Sequence, residues 1–303
     1  MTSPNERTAT LCGLGAILLW SSAAGLIRSV AEALGPVGGA ATIYTIGTVL
    51  LLMMFGRPRL RALPRPYLIA GSALFVAYEI CFSLSLGFAK DRAQAIEVGI
   101  VNYLWPCLTV VLAIAMNGQR ATWAIVPGTL LALFGIFRVV SGEGFALDST
   151  LDHLASNPVS YGLAATGALL WALYCNVTRR FADGKNAVTL FFALTALALW
   201  LKYAMSHEPV LALNSGNLLQ AIATGSAMAL GYGLWNVGIL RGNMTLLATA
   251  SYFTPALSSA FAAFWLGIHL TLPFWQGTLM VTGGSLLCWW ATRQPRKGSA
   301  QSG

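Results

Sequence analysis

Ten apolar stretches, most of them close to twenty residues long and separated by short polar connections, restrict this chain more than any other feature. A bilayer core about 30 Å thick is crossed by a helix of about 20 apolar residues, so each stretch has the length of one crossing. They run from Thr10 to Arg28, Pro36 to Phe55, Tyr67 to Phe88, Ala95 to Met116, Thr122 to Val140, Pro158 to Phe181, Ala187 to Met205, Asn217 to Leu240, Met244 to Leu266 and Leu272 to Thr292. They are too long for strands, and they lack the alternating polarity of about ten-residue barrel segments. The expected fold is an all-α integral membrane protein with ten transmembrane helices. Composition agrees, because only 9% of residues are charged, against about 25% in soluble domains. That is too little charge to cover a water-facing surface.

Several chemistries are missing. No Gly-x-x-x-x-Gly-Lys-Ser/Thr loop is present, so ATP hydrolysis by that route is excluded. His153, His207 and His269 fall in expected connections without a His-Glu-x-x-His pair, which argues against an intramembrane zinc protease. Cys12, Cys81, Cys107, Cys175 and Cys288 all lie inside apolar stretches with no Cys-x-x-Cys spacing. They read as packed thiols rather than a disulfide or metal set, and no cofactor or metal is expected. Ser21-Ser22-Ala23-Ala24 loosely resembles a signal-peptidase site. Loss of the first stretch would leave an odd, unpaired bundle, so it is read as the first span.

The formal net charge of +8 carries no nucleic-acid motif with it, and no nucleic-acid partner is expected. The basic residues instead report topology. With the N-terminus in the cytoplasm, that side holds thirteen: Arg7, Arg57, Arg59, Arg61, Arg65, Arg120, Arg179, Arg180, Lys185, Arg241, Arg293, Arg296 and Lys297. The other side holds five: Arg28, Lys90, Arg92, Arg138 and Lys202. The positive-inside rule therefore expects both termini in the cytoplasm of a bacterial-type inner membrane.

The two halves, residues 1–150 and 151–303, echo one another. Trp20 closes Gly-Ala-Ile-Leu-Leu-Trp and Trp171 closes Gly-Ala-Leu-Leu-Trp, while Asn102-Tyr103-Leu104-Trp105-Pro106 in the fourth stretch mirrors Ser251-Tyr252-Phe253-Thr254-Pro255 in the ninth. Five spans per half is an odd number, so the second half enters the membrane from the opposite side. An inverted repeat of this kind serves alternating access in transporters.

These paired tryptophan openings and Tyr-x-x-Pro helices resemble the drug/metabolite transporter superfamily, whose ten-helix members consist of two five-helix repeats of the EamA type. The resemblance covers nearly the whole chain and is greatest to members that export aromatic amino acids. It implies a central cavity lined by helices one, three, four, six, eight and nine, and an amino acid as the small-molecule substrate. It brings no short residue signature, so site residues are argued from the sequence.

Glu79 is the strongest candidate, since an ionisable group at mid-bilayer costs at least about 2.5 kcal/mol unless paired or wet. It could meet a substrate amino group, share a proton, or make a helix-packing hydrogen bond. Glu97 and Arg28 lie nearer span ends, where snorkelling or a loop ion pair relieves the cost. Trp20, Tyr78, Tyr103, Trp171, Tyr174, Trp235 and Tyr252 stand mid-span, too deep for interfacial anchors such as Trp289 and Trp290. They could form an aromatic pocket or simply fill the core. Asn102, with Asn176 and Asn236, could hydrogen-bond a zwitterion. Pro106 and Pro255 are expected to kink their helices and free backbone carbonyls. Other cargoes remain open at this point: nucleobases, sugars or cationic drugs. A channel or a membrane-embedded enzyme lacks the filter loop or catalytic set it would need. Because the two halves can complete a cavity within one chain, a monomer in the lipid bilayer is sufficient.

Overall fold

The computed structural model describes residues 4–143 and 146–292, which contain helices and connections and no strand. Arg293, Arg296 and Lys297 lie outside the described residues. Helices α1 (Pro4–Leu34) and α2 (Pro36–Phe55) open the chain, and a π-helical turn at Tyr67–Gly71 leads into α3 (Ser72–Gly87). The fourth stretch is two helices, α4 (Arg92–Asn102) and α5 (Trp105–Asn117), followed by α6 (Ile125–Ser141) and a short α7 (Leu147–Ser156). The second half contains α8 (Pro158–Phe181), α9 (Val188–Ala204), α10 (Ser215–Arg241), the pair α11 (Met244–Ser251) and α12 (Thr254–Leu266), and α13 (Leu272–Ala291).

Five helical segments among the described residues are long and apolar enough to cross a membrane: Asn5–Leu34, Pro36–Phe55, Tyr67–Gly87, Arg92–Asn117 and Pro158–Phe181. Ile125–Ser141, Val188–Ala204 and Thr254–Leu266 are shorter apolar helices. Side chains such as Phe264, 85% exposed, and Trp123, 82% exposed, face outward. An apolar exterior belongs in hydrocarbon, where backbone polar groups must be satisfied within helices. The molecule is a multi-pass membrane protein.

The interruptions in the fourth and ninth stretches follow from proline. A proline removes one N–H and its ring collides with the carbonyl four residues earlier. Those earlier residues are Asn102 for Pro106 and Ser251 for Pro255, where α4 and α11 end. The chain resumes with each proline at the start of α5 or α12, where no donor is missed. The expected kinks are therefore full breaks, a few residues ahead of the prolines. α5 and α12 then end alike, on Gly118 and Gly267 in the left-handed conformation (φ 62° and 68°), which glycine adopts at little cost.

Helix α6 crosses α13 with glycine against glycine. A Cβ on Gly135 would stand 2.7 Å from the Gly277 carbonyl oxygen, and one on Gly277 would stand 2.5 Å from that of Gly135. Gly128 and Gly284 repeat the reciprocal approach one turn-pair away, at 3.1 and 2.6 Å. Without a hydrophobic drive between helices in lipid, such close backbone approach is a main source of association. Gly128 and Gly277 stand as far apart in sequence as do Gly135 and Gly284, Gly118 and Gly267, or Pro106 and Pro255. The larger pairings follow the same exchange: α1 lies on α10 and α3 on α8, and α1 lies on α12 and α8 on α5.

The connection between halves is itself helical. α7 is amphipathic and too polar for an apolar-run reading, and Ser141 Oγ meets Thr150 Oγ1 at 2.5 Å to hold it against the end of α6.

Candidate functional site

Glu79 is 1% exposed, and both its carboxyl oxygens are engaged. The Tyr44 hydroxyl donates to Oε2 at 2.5 Å, and the Tyr232 hydroxyl donates to Oε1 at 2.9 Å. Ser83 Oγ stands 3.3 Å from the Tyr44 oxygen. Three helices, α2, α3 and α10, thus converge on one carboxyl group. Loss of this acceptor would leave the buried Tyr44 hydroxyl and the half-buried Tyr232 hydroxyl without their partner, at about 1–3 kcal/mol for a buried group left unpaired.

Aromatic rings surround this knot. Tyr232 packs edge-on against Trp20 with ring centres 5.2 Å apart, and Trp20 lies 5.3 Å from Trp235. Phe75, one turn before Glu79, touches Trp171, Tyr174 and Tyr232 at 6.1, 5.3 and 5.7 Å. Trp171 continues to Tyr78 at 4.5 Å, to Tyr174 at 5.0 Å and to Trp105 at 6.2 Å. Trp20, Trp105, Trp171, Tyr232 and Trp235 are only half-buried, so the cluster is not sealed into the core. Such a surface offers a planar ring stacking and edge contacts, each worth about 0.5–1.5 kcal/mol.

The expected site residues divide into two groups. Trp20, Tyr78, Glu79, Trp171, Tyr174 and Trp235 share this neighbourhood. Asn102 adjoins it: a Cβ on Gly167 would stand 3.0 Å from Asn102 Oδ1, and that oxygen accepts no hydrogen bond although the residue is 1% exposed. Tyr103 points elsewhere. It is buried between α4 and α12, lining with Ala24, Ile96, Gly99, Ile100, Ser258 and neighbours a void of about 10 Å³. Tyr252 packs on Trp289 with ring centres 5.9 Å apart. Asn176 is fully engaged in packing: it donates to Thr109 and Ala172 carbonyls at 3.0 and 2.9 Å and accepts from Asn117 at 2.6 Å.

Sequence reasoning missed Tyr44 and Tyr232. Tyr232 lies three residues before Trp235, hence on the same helix face, and that spacing was available. Tyr44 was hidden, because span position alone does not say which way a side chain on α2 turns.

The end of the bundle opposite the start of α1 is cross-tied by side chains. Arg28 Nη1 donates to the carbonyls of Leu86 and Ala89 at 3.1 and 2.7 Å, and its Nε meets Glu32 at 2.9 Å. Arg92 bonds Glu32 at 2.8 Å and the Leu266 carbonyl at 3.0 Å, and Trp265 Nε1 donates to Ser29 at 2.8 Å. These contacts draw α1, α3, α4 and α12 together. At the same end the Tyr161 hydroxyl donates to Glu97 at 2.6 Å, with His153 Nε2 of α7 3.4 Å from the same oxygen.

A helical bundle with an apolar exterior and an interior of clustered aromatics around the Glu79 carboxyl group suits a membrane transporter. The chain belongs to the EamA-like transporter family, whose sequence pattern matches residues 7–141 and again residues 159–290. It is 52% identical over 290 residues to the aromatic amino acid exporter YddG of Escherichia coli (strain K12), covering 95% of this chain and 99% of that one. The exporter of the same name from Ancylobacter novellus is 31% identical over 265 residues, covering 84% of this chain and 88% of that protein. A solved crystal structure superimposes with a TM-score of 0.66 at 26% identity, over 95% of this chain and 98% of that one.

Proposed function

We propose that this chain exports aromatic amino acids across a bacterial inner membrane, by alternating access between two inverted five-helix repeats that together make ten spans. The observation that carries the cargo is the ring cluster around Glu79, in which Trp20, Trp171, Tyr232 and Trp235 are half-buried and Tyr78 and Tyr174 are buried. An aromatic side chain finds ring partners there, and an ammonium group finds a carboxylate and the free acceptor of Asn102. A phosphorylated solute would call for arginine or lysine at that depth, and the cluster contains neither. The names of the relatives point to the same cargo.

Three features support the repeat. The family pattern matches twice, the two broken crossings stop ahead of equivalent prolines, and the α6–α13 glycines meet reciprocally. The division falls near residue 150, in α7. The excess of basic residues at the terminal end supports cytoplasmic termini, which makes the arginine-tied end the outer one and this state closed toward the outside. Tyr103 and Tyr252 sit at the two breaks, where opening of the closed end turns them toward the pathway. A single chain provides both halves, so the working unit is a monomer.

Counterflow by purified protein in liposomes preloaded with tryptophan tests the proposal. Labelled tryptophan, phenylalanine and tyrosine should exchange faster than leucine, uracil or a quaternary ammonium drug, and exchange should saturate. Faster exchange of uracil or the drug than of any amino acid would overturn the assigned cargo. Flux that never saturates would point to a channel.

A further inference from the structure

Cys107 on α5 and Cys288 on α13 are distant in sequence, yet their Sγ atoms stand 3.2 Å apart. Both residues are buried, at 1% and 0% exposure. Thr129 Oγ1 on α6 completes the cluster. It accepts from the Cys107 thiol at 3.4 Å, lies 3.7 Å from Cys288 Sγ, and donates to the Ile125 carbonyl at 2.8 Å. Gly128 makes room for the pair, since a Cβ there would stand 2.9 Å from Cys288 Sγ. The two thiols are therefore held face to face by three helices. An approach of roughly 1 Å would bring them to the ~2.0 Å of a disulfide bond.

The geometry points to Cys107 and Cys288 as a dithiol modification site that hydrogen peroxide closes to a disulfide, slowing transport. Peroxide is small and uncharged, and so reaches a site between membrane helices that glutathione does not. One sulfur, as thiolate, attacks a peroxide oxygen. The O–O bond breaks, the sulfur becomes a sulfenic acid, and the departing hydroxide takes a proton to leave as water. The second thiol then attacks that sulfur. The S–O bond breaks, the S–S bond forms, and the thiol proton leaves with the hydroxyl as a second water. Two thiols lose two electrons in total, and one peroxide becomes two waters.

The bond would staple α5 to α13, and each is anchored to a different neighbour. α5 is fastened to α8, the helix that carries Trp171 and Tyr174, through Asn117 and Asn176 at 2.6 Å and through Asn176 and the Thr109 carbonyl at 3.0 Å. α13 is locked on α6 by the glycine crossing. Alternating access requires the aromatic-bearing helices to move against that crossing, so the staple acts as a brake. This last step rests on the transport reading, whereas the chemistry does not.

The test treats purified protein in liposomes with hydrogen peroxide and reads two quantities. Peptide mass spectrometry should find a linked peptide containing residues 107 and 288, two hydrogens lighter than the free pair and released by dithiothreitol. Tryptophan counterflow should fall about fivefold with that linkage, as expected when a conformational step limits turnover, and recover on reduction. Cys288→Ser and, as a second variant in case the first folds poorly, Cys107→Ala should exchange normally and lose the peroxide response. Free thiols at both positions after peroxide, or a linked protein that exchanges at the reduced rate, would overturn the proposal. No tryptophan exchange even in reduced wild-type protein would instead sink the cargo reading and leave the linkage result standing.

Discussion

At the first broken crossing α4 packs most on α8 and α3 and also on α12 and α1, with Tyr103 buried among Ile96, Ile100, Ser258 and Ala262. At the second, α11 packs on α1 and α10, and among the described residues it has no comparable packing on α5 or α8, the counterparts of α12 and α1. Tyr252 is half-buried there. The two segments share the Tyr-x-x-Pro spacing and produce the same break, so proline chemistry sets where the chain bends and the surroundings set how it packs. On the proposed repeat, this asymmetry is the difference between a shut end and an open one, and the reversed state exchanges the two environments.

The sharpest way to break this comparison is at the carboxylate between the two ends. Glu79→Ala, assayed at equal folded protein, should lower tryptophan counterflow at least about tenfold, because it strands the hydroxyls of Tyr44 and Tyr232. Glu79→Gln should slow transport more than Glu97→Gln does. Wild-type rates in Glu79→Gln would remove the charge of this residue from the mechanism and leave only its hydrogen bonds.

Next in size is the crossing that both ends share. Gly277→Ala drives a methyl against the Gly135 carbonyl and should cost about 1–3 kcal/mol as overpacking, read as a lower Tm. Gly118→Ala, which meets only its left-handed backbone, should cost about 1 kcal/mol. A Gly118→Ala loss equal to that of Gly277→Ala would mean the crossing is looser than its distances imply.

The closed end gives a smaller effect. Arg92→Ala releases Glu32 and the Leu266 carbonyl, and a cysteine placed at Ser258 should then react about threefold faster with a membrane-impermeant maleimide, as a modest population shift allows. An unchanged rate would show that apolar packing around Tyr103, rather than the arginine ties, shuts this end. The smallest difference separates the two tyrosine segments themselves. Asn102→Ala, compared at equal folded protein, should raise the apparent KM for tryptophan several-fold, since its unpaired Oδ1 is the atom offered to a substrate donor. Ser251→Ala, whose hydroxyl donates to the Ala248 carbonyl of its own helix at 2.8 Å, should stay within about twofold of wild type.

Hydropathy made the helices legible because each apolar run had to satisfy its own backbone. Pro36–Phe55 and Pro158–Phe181 match their runs at both ends, where proline marks the start. α7 was missed because its amphipathic, charged sequence has no apolar run to find. The tryptophan, tyrosine and glutamate residues of the cluster were legible by depth, but not the partners of Glu79, since depth says nothing of rotation about a helix axis. The cysteine pair was invisible for a related reason: spacing along the chain reveals only ligands from one segment, and these two thiols come from opposite ends of it.

The α6–α13 crossing has one further consequence. In a symmetric homodimer such a self-matching contact is isologous, and any substitution strikes twice. On the proposed repeat, this chain has enclosed that kind of interface within one polypeptide, so a change can fall on one face and spare its twin. Cys288 has done so: it sits against Gly128, while the residue an equal distance earlier in the chain is Val139. A fused dimer can thus acquire an oxidisable pair on one side only, a freedom that two identical subunits never have.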